Sequence, residues 1–462
     1  MEEEVAKKAE VLSKLALAEG FSLDWSAALK HRQEALELYQ ELGDLLNVAM
    51  THVWLGRIFS MAPLGLADEA KALKHAETAL AILEPGPDNS DKALLLQLIA
   101  RLHLQADEPA TSVVWARKSV GIFEKLGMFM GTSLGTAQAR VGEIDEGIEY
   151  QENNWEPTLR GGNPLAIWTC GYDIILTHTL VRNMQRALEW EKTFLPVATK
   201  IMSGTFNAGP PWVLMLTYTL SGETSKATET CQVLERSESK TPFAGSLEDS
   251  TSLGLFYFRL GNWDRAGKVL QEVLSGQEDA HNTVGVKACC FALGSLNLEL
   301  GNYPKAEDLL LKSLEICQKG GNVVSELWVL PVLSELYLKM SQLEKATEYV
   351  DRGFELMKPD QNWYGLPAPV YLAKGMLATA RQDWGKAAES FDKAIQINRQ
   401  YQLPWDEART LYERGLMYLA CGRKADREKA HEDLDEALTI FQKVGAKKDV
   451  EKVLRKKKRL GA

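Results

Sequence analysis

Small residues recur at two phases of a helical hydrophobic pattern that runs along the whole chain. One ladder has steps of about 40 residues and consists of Ala28, Ala72, Ser112, Gly147, Ala187, Ala227, Ala266, Ala306, Ala346, Ala387 and Ala430. A second ladder lies about twelve residues earlier in most copies and consists of Ala16, Gly56, Ala100, Gly135, Ile175, Met215, Gly254, Gly294, Ser334, Gly375 and Gly415. Two ladders in phase predict one supersecondary unit, stacked about eleven times.

The segment 286–321 shows what one unit contains. A first apolar helix is predicted to end at Gly301–Asn302, and Pro304 suits the first turn of the helix that follows. That second helix has the i, i+3, i+4, i+7 spacing of an amphipathic helix, carried by Ala306, Leu309, Leu310, Ser313 and Leu314. The unit is therefore predicted to be an αα-hairpin. Its small residues are predicted to lie where helices cross, because larger side chains would overpack there.

The predicted fold class is all-α, a right-handed superhelical solenoid of about eleven helix-turn-helix repeats over residues 1–446. Residues 447–462 are predicted to form a basic C-terminal capping helix or tail. Val450, Val453 and Leu454 share one face of that helix and are expected to pack on the last repeat, with Lys456–Lys458 in solvent. The alternative is a basic patch that binds nucleic acid or an acidic partner.

The hairpins resemble the tetratricopeptide repeat family. Its pattern of Leu-Gly, an aromatic residue, a break and then Ala is matched by Leu253–Gly254, Tyr257, Gly261, Trp263 and Ala266. Two further copies match it through Gly375, Trp384, Ala387, Phe391 and Ala394, and through Gly415, Tyr418, Leu434 and Ala437. The resemblance implies a protein–protein interaction scaffold, with the first helix of each hairpin lining a concave surface.

The period near 40 residues and endings such as EALTIFQKVGA, at 436–446, narrow the resemblance. They look like the helical arrays of STAND-type signalling ATPases, of regulators of the maltose-regulon-activator type, and of multidomain nucleotidyl cyclases. This resemblance implies a sensor arm that regulates a fused or associated ATPase or cyclase module. The chain itself contains no Walker A sequence and no cyclase or kinase motif. An independent scaffold therefore stays open.

Composition and charge argue against several classes of protein, namely membrane-spanning, secreted, metal-binding and nucleic-acid-binding ones. The chain is 45% hydrophobic and 25% charged, which is typical of a soluble protein. Its most apolar stretch, 210–220, is far shorter than the roughly 20 residues that span a bilayer, and the N-terminus does not resemble a secretory signal. Six cysteines without CxxC spacing and seven scattered histidines predict no metal, no cofactor and a cytoplasmic location. The net charge of −10 argues against nucleic-acid binding outside the basic tail.

One segment has the letters of a catalytic motif. Residues 131–135, GTSLG, match the GxSxG nucleophile elbow, which requires a strand before the serine and a helix after it. Gly135 belongs instead to the second ladder, and no strand is predicted before it. We therefore predict that the chain is not an enzyme.

The concave surface is the candidate binding site. In the repeats from the fifth onward, its exposed positions are predicted three residues before and one residue after the second ladder. The predicted partner-binding residues are Tyr172, Leu176, Trp212, Leu216, Phe291, Leu372, Met376, Tyr412 and Leu416. At the same phases lie Thr251, Leu255, Ser295, Pro331 and Glu335. The Lys and Asn residues with which some family members clamp a C-terminal carboxylate are absent from these phases.

This largely apolar wall predicts a hydrophobic peptide or amphipathic helix as the ligand. One alternative is a small molecule or a short peptide, which a closed superhelix with a tight inner channel would favour. Another alternative is that these side chains form core between repeats.

Overall fold

The computed structural model describes residues 2–21, 24–61, 68–128, 133–201, 211–237, 246–279 and 281–460. These residues form 23 α-helices. The helices are α1 (Glu2–Phe21), α2 (Trp25–Glu41), α3 (Leu45–Met61), α4 (Glu69–Leu83), α5 (Ser90–Gln105), α6 (Pro109–Lys125), α7 (Leu134–Val141), α8 (Ile144–Gly161), α9 (Pro164–Leu180), α10 (Met184–Ile201), α11 (Pro211–Ser221), α12 (Thr224–Ser237), α13 (Ser246–Arg259), α14 (Trp263–Asp279), α15 (Thr283–Glu299), α16 (Tyr303–Gly320), α17 (Val323–Lys339), α18 (Leu343–Leu356), α19 (Pro367–Ala380), α20 (Trp384–Gln400), α21 (Pro404–Cys421), α22 (Lys424–Lys443) and α23 (Lys447–Leu460).

Consecutive helices pair as hairpins from α1–α2 to α21–α22, and α23 follows the last pair. The hairpins stack into a right-handed superhelical solenoid, so the predicted fold class is confirmed. In the hairpin α15–α16 the predicted break is a left-handed residue, Gly301, at φ +80°. Pro304 lies in the first turn of α16, where its missing N–H costs no helical hydrogen bond.

Both small-residue ladders are buried throughout. A Cβ atom placed on Gly294 would lie 2.7 Å from Leu310 Cγ, and one on Gly375 would lie 2.7 Å from Phe391 Cε1. The first helix of each of these hairpins therefore approaches the second more closely than any side chain would allow. The prediction that the ladders mark helix crossings is confirmed at these positions.

The superhelix closes on itself, because hairpin turns touch segments that lie about five repeats further along the chain. We call these contacts the inter-turn seam. Its one side contains Asp107, Asp145, Val181, Thr224 and Leu260, and its other side contains Asn322, Tyr364, Gly365, Val444 and Lys447. The seam joins residues that are 180 to 220 positions apart, which corresponds to about five repeats.

The first seam contact is polar. Asp107, which is fully buried between α5 and α6, accepts hydrogen bonds of 2.7 Å from Lys287 Nζ and of 2.7 Å from Asn322 Nδ2. Asp145 of α8 accepts hydrogen bonds of 3.0 Å from the Asn362 backbone N–H and of 3.0 Å from the Tyr364 hydroxyl. Charge-assisted bonds of this kind are stronger than neutral ones, so they hold the two turns of the superhelix together.

Further along, the seam uses the backbone. Gly365 N–H donates to the Val181 carbonyl at 3.2 Å, and Lys447 N–H donates to the Leu260 carbonyl at 3.3 Å. The Thr224 hydroxyl donates to the Val444 carbonyl at 3.2 Å. Because backbone atoms meet directly here, side chains larger than hydrogen are excluded at several seam positions.

The C-terminal helix α23 is part of the seam as well as the end of the stack. Val453 is fully buried and Val450 packs beside it, but Leu454 is 48% exposed. The prediction that Leu454 packs on the last repeat is wrong. Val453 and Leu454 are successive residues of one helix and point in directions about 100° apart, so with Val453 in the core Leu454 faces solvent. Lys452 Nζ lies 3.5 Å from a carboxylate oxygen of Glu299 in α15.

Across the part of the chain that the structure describes, no helix combines the length and apolar character needed to cross a membrane.

Candidate functional site

The first helices of five successive hairpins converge on one cavity at the centre of the superhelix. We call it the axial cavity, and its volume is about 70 Å³. Its wall is formed by α13, α15, α17, α19 and α21, with Arg182 added from the turn between α9 and α10. The first helices therefore line the inner surface, as the family resemblance implied.

Three of the nine predicted site residues line this cavity: Phe291, Leu372 and Met376. Other residues at the predicted phases join them, namely Leu255, Ser295, Pro331 and Glu335. Phe291 packs edge-to-face on Trp328 with ring centroids 6.0 Å apart. The repeat phase thus located the wall of the cavity between the seventh and tenth hairpins, and binding by these residues stays a prediction.

Three predicted residues lie in a different place. Tyr172, Leu176 and Trp212 belong to a hydrophobic cluster between α9, α10 and α11. The Tyr172 ring stacks on Trp168 at 5.2 Å and meets Trp212 edge-on at 5.7 Å. Leu176 is buried in that cluster. This placement matches the alternative in which these side chains form core between repeats.

The last three predicted residues are covered by other parts of the chain. Leu216 packs against Met184 and Leu403 beside the seam. Tyr412 and Leu416 belong to the cluster under α23, and Lys452 Nζ lies 5.3 Å from the centre of the Tyr412 ring. Tyr412 is therefore buried, whereas Leu216 and Leu416 are half-buried, and none of the three lines the axial cavity; binding by these residues stays a prediction.

Charged side chains complete the wall of the axial cavity, and sequence reasoning missed most of them. Asp406 Oδ2 lies 2.7 Å from Arg182 Nη2 and 3.4 Å from Arg259 Nη1. Burial raises the pKa of Asp406, but the charges of Arg182 and Arg259 outweigh that effect and hold the pKa at about 2. Asp406 is therefore ionised at neutral pH and shared between two guanidinium groups.

Each of these arginines also contacts an indole ring. The Arg259 guanidinium carbon lies 3.6 Å from the centre of a Trp405 ring, and the Arg182 carbon lies 5.1 Å from that of Trp328. Arg182 is 4% exposed. Among the residues that the structure describes, neither Arg182 Nε nor Arg259 Nε has a hydrogen-bond acceptor.

A second set of charges is paired. Arg409 forms an ion pair with Glu335, and Glu299 is paired with Lys452 of α23. Burial raises the pKa of Glu335, but the charges of Arg409 and Lys339 lower it by more.

Of these charged residues, the repeat phase in the sequence predicted only Glu335 on the inner wall. Arg182, Arg259 and Asp406 carried no sequence signal, since they lie at helix ends and turns whose proximity depends on the superhelical pitch.

The catalytic-looking segment has a structural role where it is described. Gly131 and Thr132 lie outside the described residues, whereas Gly135 lies in α7 and directly contacts Gly147 of α8. A Cβ atom at either glycine would overlap the other's backbone carbonyl oxygen. Within the described residues, no group of three or more His, Cys, Asp or Glu side chains could hold a metal ion.

The fold and its central cavity define the class of α-helical repeat solenoids. Residues 248–319 and 286–358 match the tetratricopeptide repeat family model, so this part of the chain consists of tetratricopeptide-type repeats. The family resemblance seen in the sequence is thus confirmed. The finer likeness to arrays of signalling ATPases and cyclases stays a prediction.

The chain is similar to several solved helical proteins. NprR in complex with its cognate peptide NprX shares 13% identity, with 62% of this chain and 81% of that chain covered and a TM-score of 0.46. A Rap protein in complex with competence and sporulation factor shares 13% identity over 96% and 99%, with a TM-score of 0.37. Yeast Tom70 shares 14% identity over 98% and 96%, with a TM-score of 0.34. No curated protein matches the chain.

Proposed function

We propose that the chain is a non-enzymatic binding module that holds a small molecule or a short extended peptide in the axial cavity. The observation that carries this proposal is that the first helices of five successive hairpins, together with Arg182, line one narrow cavity of about 70 Å³. A narrow inner cavity favours a small ligand over a protein partner. The inner-wall positions are those that the repeat phase predicted, but the proposed ligand is a small molecule or short peptide in place of an amphipathic helix.

An amphipathic helix fits this cavity poorly. A helix with its side chains is about 10 Å across, so even two turns of helix occupy several hundred Å³. A helix would therefore require the wall helices α13, α15, α17, α19 and α21 to move apart. The apolar wall at Phe291, Leu372 and Met376 is better matched to one or two side chains of a short ligand.

Ligand occupancy also has a direct route to the rest of the molecule. Arg182 lines the cavity, and the residue before it, Val181, accepts a seam hydrogen bond from Gly365. A ligand that shifts Arg182 is therefore expected to alter this seam hydrogen bond. We propose that this coupling lets the array regulate a fused or associated ATPase or cyclase module.

The test is a selection of ligands from two displayed libraries, one of short random peptides and one of constrained amphipathic helices. We expect short peptides to be enriched and to lose binding when Met376→Trp fills the cavity. Leu311→Trp is the matched control, because Leu311 is exposed on α16 and outside the cavity wall. Enrichment of helices that bind wild type and Met376→Trp equally would contradict the proposal.

A further inference from the structure

Two histidines of the second hairpin face each other where α3 and α4 cross. Gly56 lies at that crossing, and a Cβ atom placed on it would be 3.7 Å from the Cβ atom of His75. His52 lies one turn before Gly56 on the same face of α3, so the close approach of the two helices brings the imidazoles together. The Nδ1 atoms of His52 and His75 are 2.8 Å apart.

The two imidazole rings meet head-on. Their centroids are 5.0 Å apart, which is close to the greatest separation that the 2.8 Å contact between the Nδ1 atoms allows. Each ring therefore points its Nδ1 atom at the other ring. In this pair the Nδ1–H of one imidazole donates to the Nδ1 lone pair of the other. A cation in place of that proton would have one imidazole ligand on each of two opposite sides.

Both rings are in the form that binds metal ions. Burial lowers the pKa of His75 to about 4, the charges of His52 and Lys74 add to that effect, and burial also lowers the pKa of His52. Neutral imidazole is the metal-binding form of histidine. Phe59 stacks on His75 with ring centroids 5.5 Å apart, which restrains that ring, and both histidine side chains are half-buried.

The number of ligands and the nearby charge indicate which ions fit. Within the described residues, no third His, Cys, Asp or Glu side chain completes a chelating group at this pair. Ions that take four or six ligands, such as Zn²⁺ and Mg²⁺, therefore gain little from it. The charge of Lys74, which acts on His75, repels a doubly charged ion more than a singly charged one. A singly charged copper ion accepts imidazole nitrogen and is stable with two ligands in line.

We infer that His52 and His75 form a two-coordinate site for a soft monovalent cation of the Cu(I) class, bound between their Nδ1 atoms. Metal–imidazole bonds are about 2 Å long, so the two nitrogens must move apart by about 1 Å. The ring with its proton on Nδ1 transfers that proton to Nε2 through solvent, which leaves both imidazoles neutral and releases no net proton. The site lies outside the axial cavity and is independent of the proposed function.

The first experiment locates the bound ion. The probe is Ag(I), which has the charge and the coordination preference of Cu(I) and is stable in air. The full chain carries ¹⁵N-labelled histidine, and Cys421→Ser removes the least buried thiol. We expect Ag(I) to shift the Nδ1 resonances of His52 and His75 together in ¹H–¹⁵N spectra and to leave those of the remaining histidines in place. Unshifted Nδ1 resonances of His52 and His75 at saturating Ag(I) overturn the inference.

The second experiment tests the two ligands by calorimetric titration. His52→Ala and His75→Ala are each expected to weaken binding of Ag(I) at this site by roughly tenfold or more. His431→Ala is the matched control, because His431 is exposed on α22 and does not belong to the pair. Wild-type affinity in both variants of the pair overturns the inference. Zn²⁺ that binds as tightly as Ag(I) and depends on the same two histidines would show additional ligands, and it overturns the two-coordinate assignment.

Discussion

The most direct test of the inter-turn seam is the substitution Gly320→Ala. Gly320 is the last residue of α16, and it lies against the backbone of Asp107. A methyl group on Gly320 would overlap the Asp107 carbonyl oxygen and lie 2.7 Å from the carbonyl carbon. Ordinary carbon–carbon contacts are about 3.5–4.0 Å. The seam must therefore open by about 1 Å at this point, since backbone atoms have no rotamer to change.

The size of the effect follows from what that opening breaks. Asp107 accepts hydrogen bonds from Lys287 and Asn322, each of 2.7 Å. Hydrogen bonds to charged groups contribute about 1.5–3 kcal/mol each. Alanine in place of a helical glycine returns about 0.5–1 kcal/mol. We expect Gly320→Ala to lower the free energy of unfolding by about 2–5 kcal/mol.

Gly121→Ala is the matched control. Gly121 also lies in a helix, α6, and a Cβ atom there would meet nothing within 4 Å. Helix propensity alone predicts a gain of about 0.5–1 kcal/mol for this variant. Two glycine-to-alanine changes with opposite signs separate the seam contact from any general effect of alanine.

The assay is urea denaturation followed by circular dichroism, combined with amide hydrogen exchange. Exchange locates the change, because stacked repeats can open separately. The amides of Glu108 and Asn322, on the two sides of the seam, should exchange faster in Gly320→Ala than in wild type. A Gly320→Ala protein with the wild-type urea midpoint, or a higher one, would refute the seam.

Three further predictions concern the ladders, the C-terminal helix and pH. Ala306→Leu should lower the free energy of unfolding by about 1–3 kcal/mol relative to Lys312→Leu, because Ala306 is buried. Equal urea midpoints for the two variants would show that the ladder does not mark a helix crossing. Truncation after Gly445 should lower the melting temperature through loss of Val453 burial and the Lys452–Glu299 pair; unchanged melting with lost salt-sensitive DNA binding would favour the basic-patch alternative. Burial raises the pKa of Asp449 from 3.8 to about 6, so the folded state binds this proton more tightly than the unfolded chain. The Asp449 contribution to stability should therefore fall as pH rises from about 4 to about 7, and melting curves of Asp449→Asn should lack this loss.

The repeat architecture could be predicted because its signals are local. A glycine such as Gly294 and the alanine Ala306 that follows it belong to one hairpin, so their spacing reports the crossing directly. The same phase places Phe291, Leu372 and Met376 on the inner wall. Each of these positions depends only on helical periodicity within one repeat.

The charged part of the cavity depends on distances along the chain that periodicity does not encode. Arg182 and Asp406 meet only because the small rotation from repeat to repeat accumulates into one full superhelical turn. No pattern within a single hairpin reports that rotation. The Lys452–Glu299 pair, which joins α23 to a helix of a much earlier repeat, is likewise outside what periodicity encodes.

The inter-turn seam also changes how this solenoid folds and how it can be divided. Most repeat arrays can be shortened one hairpin at a time, because each repeat contacts only its neighbours. Here the contacts Lys287–Asp107 and Thr224–Val444 span 180 and 220 residues. Loops of that length must close before the seam can form, which raises contact order and slows folding. We therefore expect a fragment shorter than one superhelical turn with its overlap to lose the seam contacts, and the hairpins that the seam joins to be more strongly coupled than those of an open array.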